Sequence, residues 1–409
     1  MSSPEIAVAT PAKKKLVIQK YGGTSVGSID RIKHVAAHIA KSVANGESVV
    51  AVISAMGDQT DELLSMAHQI SPSPPRRELD MLLTAGERIS MALVTIALHE
   101  IGCKAVSLTG SQSGIITDTV HGNARISRIS PYRIEENLAS GHVVIVAGFQ
   151  GVSAESKEIT TLGRGGSDLS AIALAASLSA SKCQLYKDVD GVCSADPRIV
   201  EHAKVLSRLS WDSMTQMAWA GASVLHPRGA HLARKFGIPI EIKSSFNLNR
   251  PGTLVEGNLP MESVCIEAIT HKMNMVLIKS KLIPTSERLL AEIQTSLWQQ
   301  GESSQIQNQA VSQSGIDALL SCSKTMANLV IEKLKPALLN STFNPEVIDC
   351  SIVTITGSGF WQSPETLDHI LQLSGGTKFS DVKNNAITLA IDNQRVVETV
   401  KKLHEALIK

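Results

Sequence analysis

Leu16-Val17-Ile18-Gln19-Lys20-Tyr21-Gly22-Gly23-Thr24-Ser25-Val26-Gly27 passes from an apolar, β-branched run through a glycine-rich turn into a stretch of helical period at about 28–44. The same alternation recurs from Leu16 to about Val255. Strands are expected at 16–20, 48–54, 105–110, 142–149, 183–188 and 238–243, and helices at about 28–44, 76–100, 131–140, 167–180 and 212–235. Apolar strands separated by helices build a mainly parallel sheet covered on both faces, so this part reads as α/β.

After Pro251, Gly252 and Gly257 the texture changes. Residues from about 263 to 409 hold two βαβ-like stretches, the second followed by a strand, AITLAI, and a last helix. Two small α+β modules fit this half. The polar tract 299–315 is expected as a loop or a polar edge strand.

Composition narrows the class. At 409 residues the chain has room for two to four domains, and 43% hydrophobic against 19% charged residues excludes a disordered chain. A net charge of +1 gives no field to hold a polyanion, and 3% aromatic residues are too few for base-stacking platforms, so nucleic acid is not an expected partner. The six cysteines show no metal-ligand spacing and read as reduced packing residues. No apolar leader core precedes the first glycines and no run approaches 18 apolar residues, so a cytoplasmic protein with no membrane partner and a mobile tail of about a dozen residues is expected.

Three glycine-bearing turns could carry chemistry. In Lys20–Gly27 the glycines would admit phosphate oxygens to backbone N–H groups and Lys20 would add a point charge; a plain strand-to-helix turn is the alternative. Thr160-Thr161-Leu162-Gly163-Arg164-Gly165-Gly166-Ser167-Asp168 opens a helix, with Ser167 or Asp168 as a simple cap or the turn as a second anion site presenting Arg164. Lys187-Asp188-Val189-Asp190-Gly191-Val192-Cys193 and Asp196-Pro197-Arg198 follow a strand end, where turn chemistry alone is the simpler reading. Glu87 reads by default as an exposed helix carboxylate, although Gly86 beside it implies a close approach to the helix. His34 and His38 lack a third ligand and read as surface residues; no metal site is expected from the chain itself.

Taken together, KYGGTSVGS (20–28), VISAMGDQTDELL (52–64), MLLTAGERIS (81–90), HGNARI (121–126), VAGFQGV (146–152), TTLGRGGSDLSA (160–171) and DVDGVCSADPR (188–198) resemble the aspartate kinases, the aspartokinase branch of the amino acid kinase family. The resemblance implies a three-layer αβα sandwich on an eight-stranded, mainly parallel sheet at 16–260, followed by a regulatory half, 263–409, of two ACT-like modules. It implies ATP and Mg²⁺ as cofactors, L-aspartate as substrate and a homodimer or higher homo-oligomer through the ACT-like half. Carried over by position, Lys20 would neutralise the transferring phosphoryl group and Asp168 would orient Lys20. Tyr21, Gly22, Gly23, Gly165, Gly166, Lys187, Asp188, Cys193 and Arg198 would surround the nucleotide, with Gly22 and Gly23 donating backbone N–H groups. Ser54, Thr60, Glu87, Arg164 and Ser167 would bind aspartate, Glu87 on its ammonium and Arg164 on a carboxylate. The implied product is 4-phospho-L-aspartate, feeding lysine, threonine and methionine synthesis.

This sequence departs from the family pattern in places. Lys187 replaces the usual Thr or Ser, Cys193 the usual Tyr, and the lysine that some members carry in an SSK segment is missing from Ile242-Lys243-Ser244-Ser245-Phe246. In the regulatory half, Leu282-Ile283-Pro284-Thr285 stands in place of Asp-Lys-Pro-Gly, which points to dimerisation with weak or altered effector binding. Two rival readings are a glutamate or N-acetylglutamate kinase, and an amino-acid-binding regulator with little catalytic power.

Overall fold

Apolar runs without alternation must be covered on both sides, and β1 (Lys15–Tyr21) is buried at every position from Val17 onward. The computed structural model describes residues 15–257, 265–283, 286–299, 305–312, 315–338 and 345–408. The expected amino-terminal tail, the 260/263 boundary, the Pro284-Thr285 turn and residues 300–304 and 313–314 of the polar tract lie outside these residues.

From β1 the chain continues through α1 (Ile29–Ala44), β2 (Glu47–Ile53), α2 (Gln59–Ile70), α3 (Arg76–Glu100), β3 (Ala105–Leu108), β4 (Ile115–Thr117) and β5 (Ile126–Ile129). Next come α4 (Tyr132–Ala139), β6 (Val143–Ala147), β7 (Gln150–Ser153), β8 (Ile159–Thr161), α5 (Gly166–Ser177), β9 (Lys182–Lys187) and β10 (Arg208–Leu209). This half closes with α6 (Trp211–Trp219), α7 (Pro227–Phe236), β11 (Ile240–Ser244) and β12 (Thr253–Val255).

Eight of these strands form one sheet in the order β10-β12-β11-β9-β1-β2-β6-β3, parallel except between β11 and β12. On one face Val35 and Ile39 of α1 and Val94 and Leu98 of α3 pack over Val49, Ala51 and Ile145. On the other, Ile172 and Leu174 of α5, Met217 of α6 and Ala233 of α7 pack over Ile18, Val50, Leu185 and Ile242. The expected three-layer αβα sandwich is the observed one. Its helices begin where local chemistry allows: the Ser28 hydroxyl accepts the Arg31 N–H at 3.2 Å and caps α1.

Several elements differ from the sequence reading: helix α2 and the two- and three-residue strands β10 and β12 lie outside the expected set. The helix expected at 212–235 is two helices, because Gly221 adopts φ +108° after α6 and Pro227, which cannot donate an N–H, sits at the start of α7. A second sheet, β5-β4-β7-β8, escapes the sequence pattern because its strands are only 3–4 residues long. By length and composition α3 could span a membrane. Here it packs beside α1 on one face of the sheet and turns Asp80, Thr84, Glu87 and Ser90 into the interior.

The remaining elements are β13 (Cys265–Leu282), α8 (Glu287–Gln299), β14 (Gln305–Ser312), β15 (Gly315–Ser323), α9 (Ala327–Leu334), β16 (Glu346–Ser358), α10 (Pro364–Ser374), β17 (Phe379–Lys383), β18 (Ala386–Ile391) and α11 (Val396–Leu407). They share one antiparallel sheet, β14-β15-β13-β16-β18-β17, in which both βαβ-like stretches meet at the β13–β16 seam. Residues 305–312 of the polar tract form its edge strand. The loop after β9 is embedded in this half: Ala195 and Val200 join the cluster of Ile269, Val353, Phe360 and Leu403, and Ser194 Oγ lies 2.9 Å from His404 Nε2.

Candidate active site

Side chains alternate along a strand, so Lys20 faces the layer opposite to that of Gln19 and Tyr21. At the carboxyl end of β1 the Lys20 Nζ lies 2.8 Å from Asp168 Oδ1, and Lys187 Nζ, at the end of neighbouring β9, lies 2.7 Å from Asp168 Oδ2. Lys20 is only 6% exposed and Asp168 4%. Burial alone would raise the Asp168 pKa, but the Lys20 and Lys187 ammoniums outweigh it and hold the carboxyl below its ordinary range. Burial lowers Lys20, with Asp168 opposing that shift and Lys187 adding to it. Asp168 belongs to the first turn of α5 but does not cap it; the cap position is Gly165, at φ +72° with no side-chain bond. The simple capping alternative for Ser167 and Asp168 is thereby set aside.

Next to Lys20 the chain makes a close cradle. A Cβ on Gly23 would lie 3.0 Å from the carbonyl oxygens of both Ala55 and Gly57, and one on Gly22 would lie 3.6 Å from Lys20 Nζ. The Gly22 N–H, expected to point at phosphate, instead donates to the Tyr186 carbonyl at 3.2 Å, because the β1–β9 ladder runs one residue further than the strand. What Gly22 contributes is room. Tyr21 also corrects an expectation: its ring is 1% exposed, stacks on Tyr186 with centroids 4.9 Å apart, and faces α1 rather than the cradle. Its hydroxyl lies 2.7 Å from Nδ1 of His38, so His38 is a packed, hydrogen-bonded residue rather than a surface one. Burial, with help from neighbouring Lys243, His34 and Lys41, holds that imidazole down to a pKa of about 4.

On the far side of the cradle Glu87 is 3% exposed, not the exposed carboxylate of the default reading. Its Oε1 accepts the Ala55 N–H at 3.4 Å, while Oε2 is buried without a hydrogen-bond partner. Burial pushes the Glu87 carboxyl up to about 7 against the opposing pull of backbone hydrogen bonds and Lys20. Gly86 explains itself here, since a Cβ would lie 2.9 Å from that of Ala55 and 3.3 Å from Gln59 Oε1. Gln59 Oε1 is a second buried acceptor without a partner. Ser54 follows β2 and donates its N–H to the Tyr21 carbonyl at 3.2 Å; half-buried Thr60 lies in the first turn of α2. Ser167 is buried against Gly148, whose missing Cβ would sit 2.9 Å from it, and Gly166 packs likewise against Phe149. Arg164 is solvent-exposed at the tip of its turn.

The residues after β9 are more scattered. Asp188 is exposed. Half-buried Cys193 forms a β-bridge with Val205, and burial pushes its thiol pKa up. Arg198 folds back on Asp196, with Nη2 to Oδ2 at 2.7 Å, and projects into solvent. Among the described residues no hydrogen bond or ion pair joins Asp188, Cys193 or Arg198 to the Lys20–Asp168–Lys187 group.

The model of the amino acid kinase family matches residues 15–244. The chain is 40% identical over 403 residues to an aspartokinase of Mycolicibacterium smegmatis, covering 96% of each, and 41% identical over 396 residues to one of Geobacillus stearothermophilus, covering 96% of this chain and 97% of that one. This chain belongs to the amino acid kinase family, among its aspartokinases. It is a kinase, a phosphotransferase with a carboxyl group as acceptor. Its fold is that of E. coli aspartokinase III, with a TM-score of 0.79 at 22% identity over 97% of this chain and all of that one.

Within this aspartokinase frame, two groups missed in the sequence organise the site. Asp80, 1% exposed on α3, accepts from Thr161 Oγ1 at 2.5 Å and from the Gly122 N–H at 3.1 Å, and lies 2.6 Å from His121 Nδ1. Arg228 of α7 donates to Leu162 O at 2.6 Å, Asn123 Oδ1 at 2.7 Å and Ala124 O at 2.8 Å. HGNARI and TTLGRGGSD stand out in the sequence as motifs, but nothing in them points to their anchors. Neither Asp80 nor Arg228 stands in either motif.

Proposed function

We propose that the chain transfers the γ-phosphoryl group of ATP to the β-carboxylate of L-aspartate, giving 4-phospho-L-aspartate and ADP as a first step toward lysine, threonine and methionine. The observation that carries this reading is the buried Lys20–Asp168–Lys187 group beside the Gly22–Gly23 cradle. One carboxylate against two ammoniums leaves a net positive charge where phosphate oxygens would enter.

The acceptor needs no general base, because a carboxylate is ionised at pH 7. Its oxygen attacks Pγ, the bond from Pγ to the β,γ-bridging oxygen breaks, and ADP leaves with that electron pair. The protein's part is to align two anions and screen their repulsion, with Lys20 on the transferring group and Asp168 fixing its direction. Glu87 supplies a buried carboxylate oxygen without a partner, which suits the substrate ammonium, and exposed Arg164 suits a carboxylate. Ser54, Thr60 and Ser167 complete the aspartate side. Gly23 lies along the nucleotide, Gly165 and Gly166 serve it by closing the turn tightly against His226 and Phe149, and Asp188, Cys193 and Arg198 lie at its outer edge with Lys187 held on Asp168.

No group of three His, Cys, Asp or Glu side chains able to hold a metal occurs among the described residues, and Asp168 is engaged by two lysines. Mg²⁺ therefore fits as an ion carried on the nucleotide phosphates, where it supplies further charge screening. Residues 263–409 we read as two ACT-like modules that join copies of the chain into a homodimer or larger assembly in the cytoplasm. The reading as a carboxylate kinase for aspartate is tested by trapping the acyl phosphate with hydroxylamine. Hydroxamate is expected with L-aspartate and ATP; its formation with glutamate or N-acetylglutamate instead, or with none of the three, would refute it.

A further inference from the structure

Arg164 stands between two glycines in left-handed backbone, Gly163 at φ +76° and Gly165 at φ +72°. A turn of this kind has no intrinsic reason to hold its shape, since glycine has the most backbone freedom to lose. Both glycines are pressed from outside. A Cβ on Gly163 would lie 2.9 Å from Asn123 Oδ1, and one on Gly165 would lie 2.5 Å from the His226 Cβ. His226 caps α7 by accepting the Arg228 N–H at Nδ1, 3.2 Å away, so the cap and the guanidinium share one helix start.

The guanidinium then spans the two loops that frame the turn. One nitrogen, Nη1, donates both to Leu162 O at 2.6 Å, the residue that leads into the turn, and to Asn123 Oδ1 at 2.7 Å; Nη2 donates to Ala124 O at 2.8 Å. The loops are also tied directly, by Ala124 N–H to Thr161 O at 2.8 Å. All three acceptors of Arg228 are neutral, so a charged, rigid fork is spent on fixing backbone rather than on pairing an acid. A lysine cannot reproduce that geometry.

We infer that Arg228 is a positioning residue for aspartate recognition: by clamping Leu162, Asn123 and Ala124 it sets the turn that presents Arg164 to a substrate carboxylate. This rests on the reading of Arg164 given above. The two lysines come from different elements, β1 and β9, and Asp168, although in the first turn of α5, is held by those lysines rather than by Arg228, so loss of the clamp raises the KM for aspartate while leaving that for ATP and kcat nearly unchanged.

The test is steady-state kinetics on the full-length chain with Arg228→Met, Arg228→Lys, Arg164→Ala and the double variant Arg164→Ala/Arg228→Met. Arg228→Met is expected to raise the aspartate KM on the order of tenfold, the size of one lost charge-assisted bond, with Arg228→Lys giving little rescue. In the double variant the effects should not add, because Arg228 acts through Arg164. Additive effects, or equal losses for both substrates, would reduce Arg228 to a structural residue. An unchanged aspartate KM in Arg164→Ala would overturn the Arg164 reading itself and this inference with it. Should Arg228→Met fail to fold, Asn123→Ala removes one acceptor of the clamp; it should raise the aspartate KM alone, and no selective rise contradicts the inference.

Discussion

Lys20 and Lys187 reach the same carboxylate from adjacent strands, 2.8 Å from one oxygen of Asp168 and 2.7 Å from the other. The arrangement separates catalysis from stability. In Lys20→Ala, Asp168 keeps Lys187, so the thermal midpoint should stay within a few degrees of wild type. Turnover should fall about 10²- to 10³-fold, as when one preorganised charge-stabilising donor is removed. Asp168→Asn should behave differently, leaving buried Lys20 and half-buried Lys187 unpaired at a cost of about 3–5 kcal/mol. Parallel thermal unfolding and turnover of the two variants would check this; a Lys20→Ala protein as unstable as Asp168→Asn would contradict it.

Lys187→Thr restores the residue type usual in the family and removes one of the two ammoniums. With Lys20 alone on Asp168 the pair becomes neutral, and the Lys20 pKa rises because Lys187 no longer depresses it. The expected outcome is an ATP KM raised about ten- to a hundredfold, from the loss of a charge-assisted contribution of about 1.5–3 kcal/mol. An unchanged ATP KM would show that Lys187 serves Asp168 alone.

Glu87, with a pKa pushed up to about 7 by burial, is partly protonated at neutral pH, yet an ammonium needs the carboxylate. The aspartate KM should therefore rise as pH falls from 8 through about 7, approaching one decade per pH unit below it. The stability effect has the opposite sense. A carboxyl whose folded pKa lies above its unfolded value contributes stability at low pH that is lost as pH rises through the folded pKa. Glu87→Gln should abolish the pH dependence of KM, weaken aspartate binding, and raise the thermal midpoint at pH 8 relative to wild type. A flat KM between pH 6 and 8 in the wild type would refute the assignment.

The sheet was legible because its strands are unbroken apolar runs: Val49–Ile53 and Val143–Ala147 are buried at every position. Lys20, Asp168 and Glu87 were legible only through their joint motifs, since each alone is compatible with a turn, a cap or an exposed helix face. What sequence could not show is direction. Tyr21 was placed with the nucleotide by its neighbours, yet strand alternation turns its ring toward α1. Asp80 and Arg228 escaped because they act across 81 and 66 residues of chain, on Thr161 and Leu162 respectively. The 3–4-residue strands of the smaller sheet carry too little pattern to register.

Gly86→Ala weighs two effects against each other. Alanine favours a helix interior by about 1 kcal/mol over glycine, which argues for stabilisation. Its Cβ, however, would lie 2.9 Å from that of Ala55 and 3.3 Å from Gln59 Oε1, and overpacking costs about 1–3 kcal/mol. The clash should win, lowering the thermal midpoint and raising the aspartate KM by displacing Glu87. A stabilised variant with unaltered kinetics would mean that the Ala55–Gly86 contact is not tight in solution.

The decisive measurement follows oxygen. L-Aspartate labelled with ¹⁸O in the β-carboxylate is incubated with ATP, Mg²⁺ and the enzyme, the acyl phosphate is cleaved with hydroxylamine at its carbonyl carbon, and the released phosphate is read by ³¹P NMR. If the carboxylate oxygen attacks the γ-phosphorus in the cradle of Lys20 and Asp168, each phosphate carries one ¹⁸O, and Lys20→Ala abolishes the signal. Phosphate without ¹⁸O, formed at the same rate with or without aspartate, would mean that water is the acceptor and that the chain is not the proposed aspartate-phosphorylating enzyme.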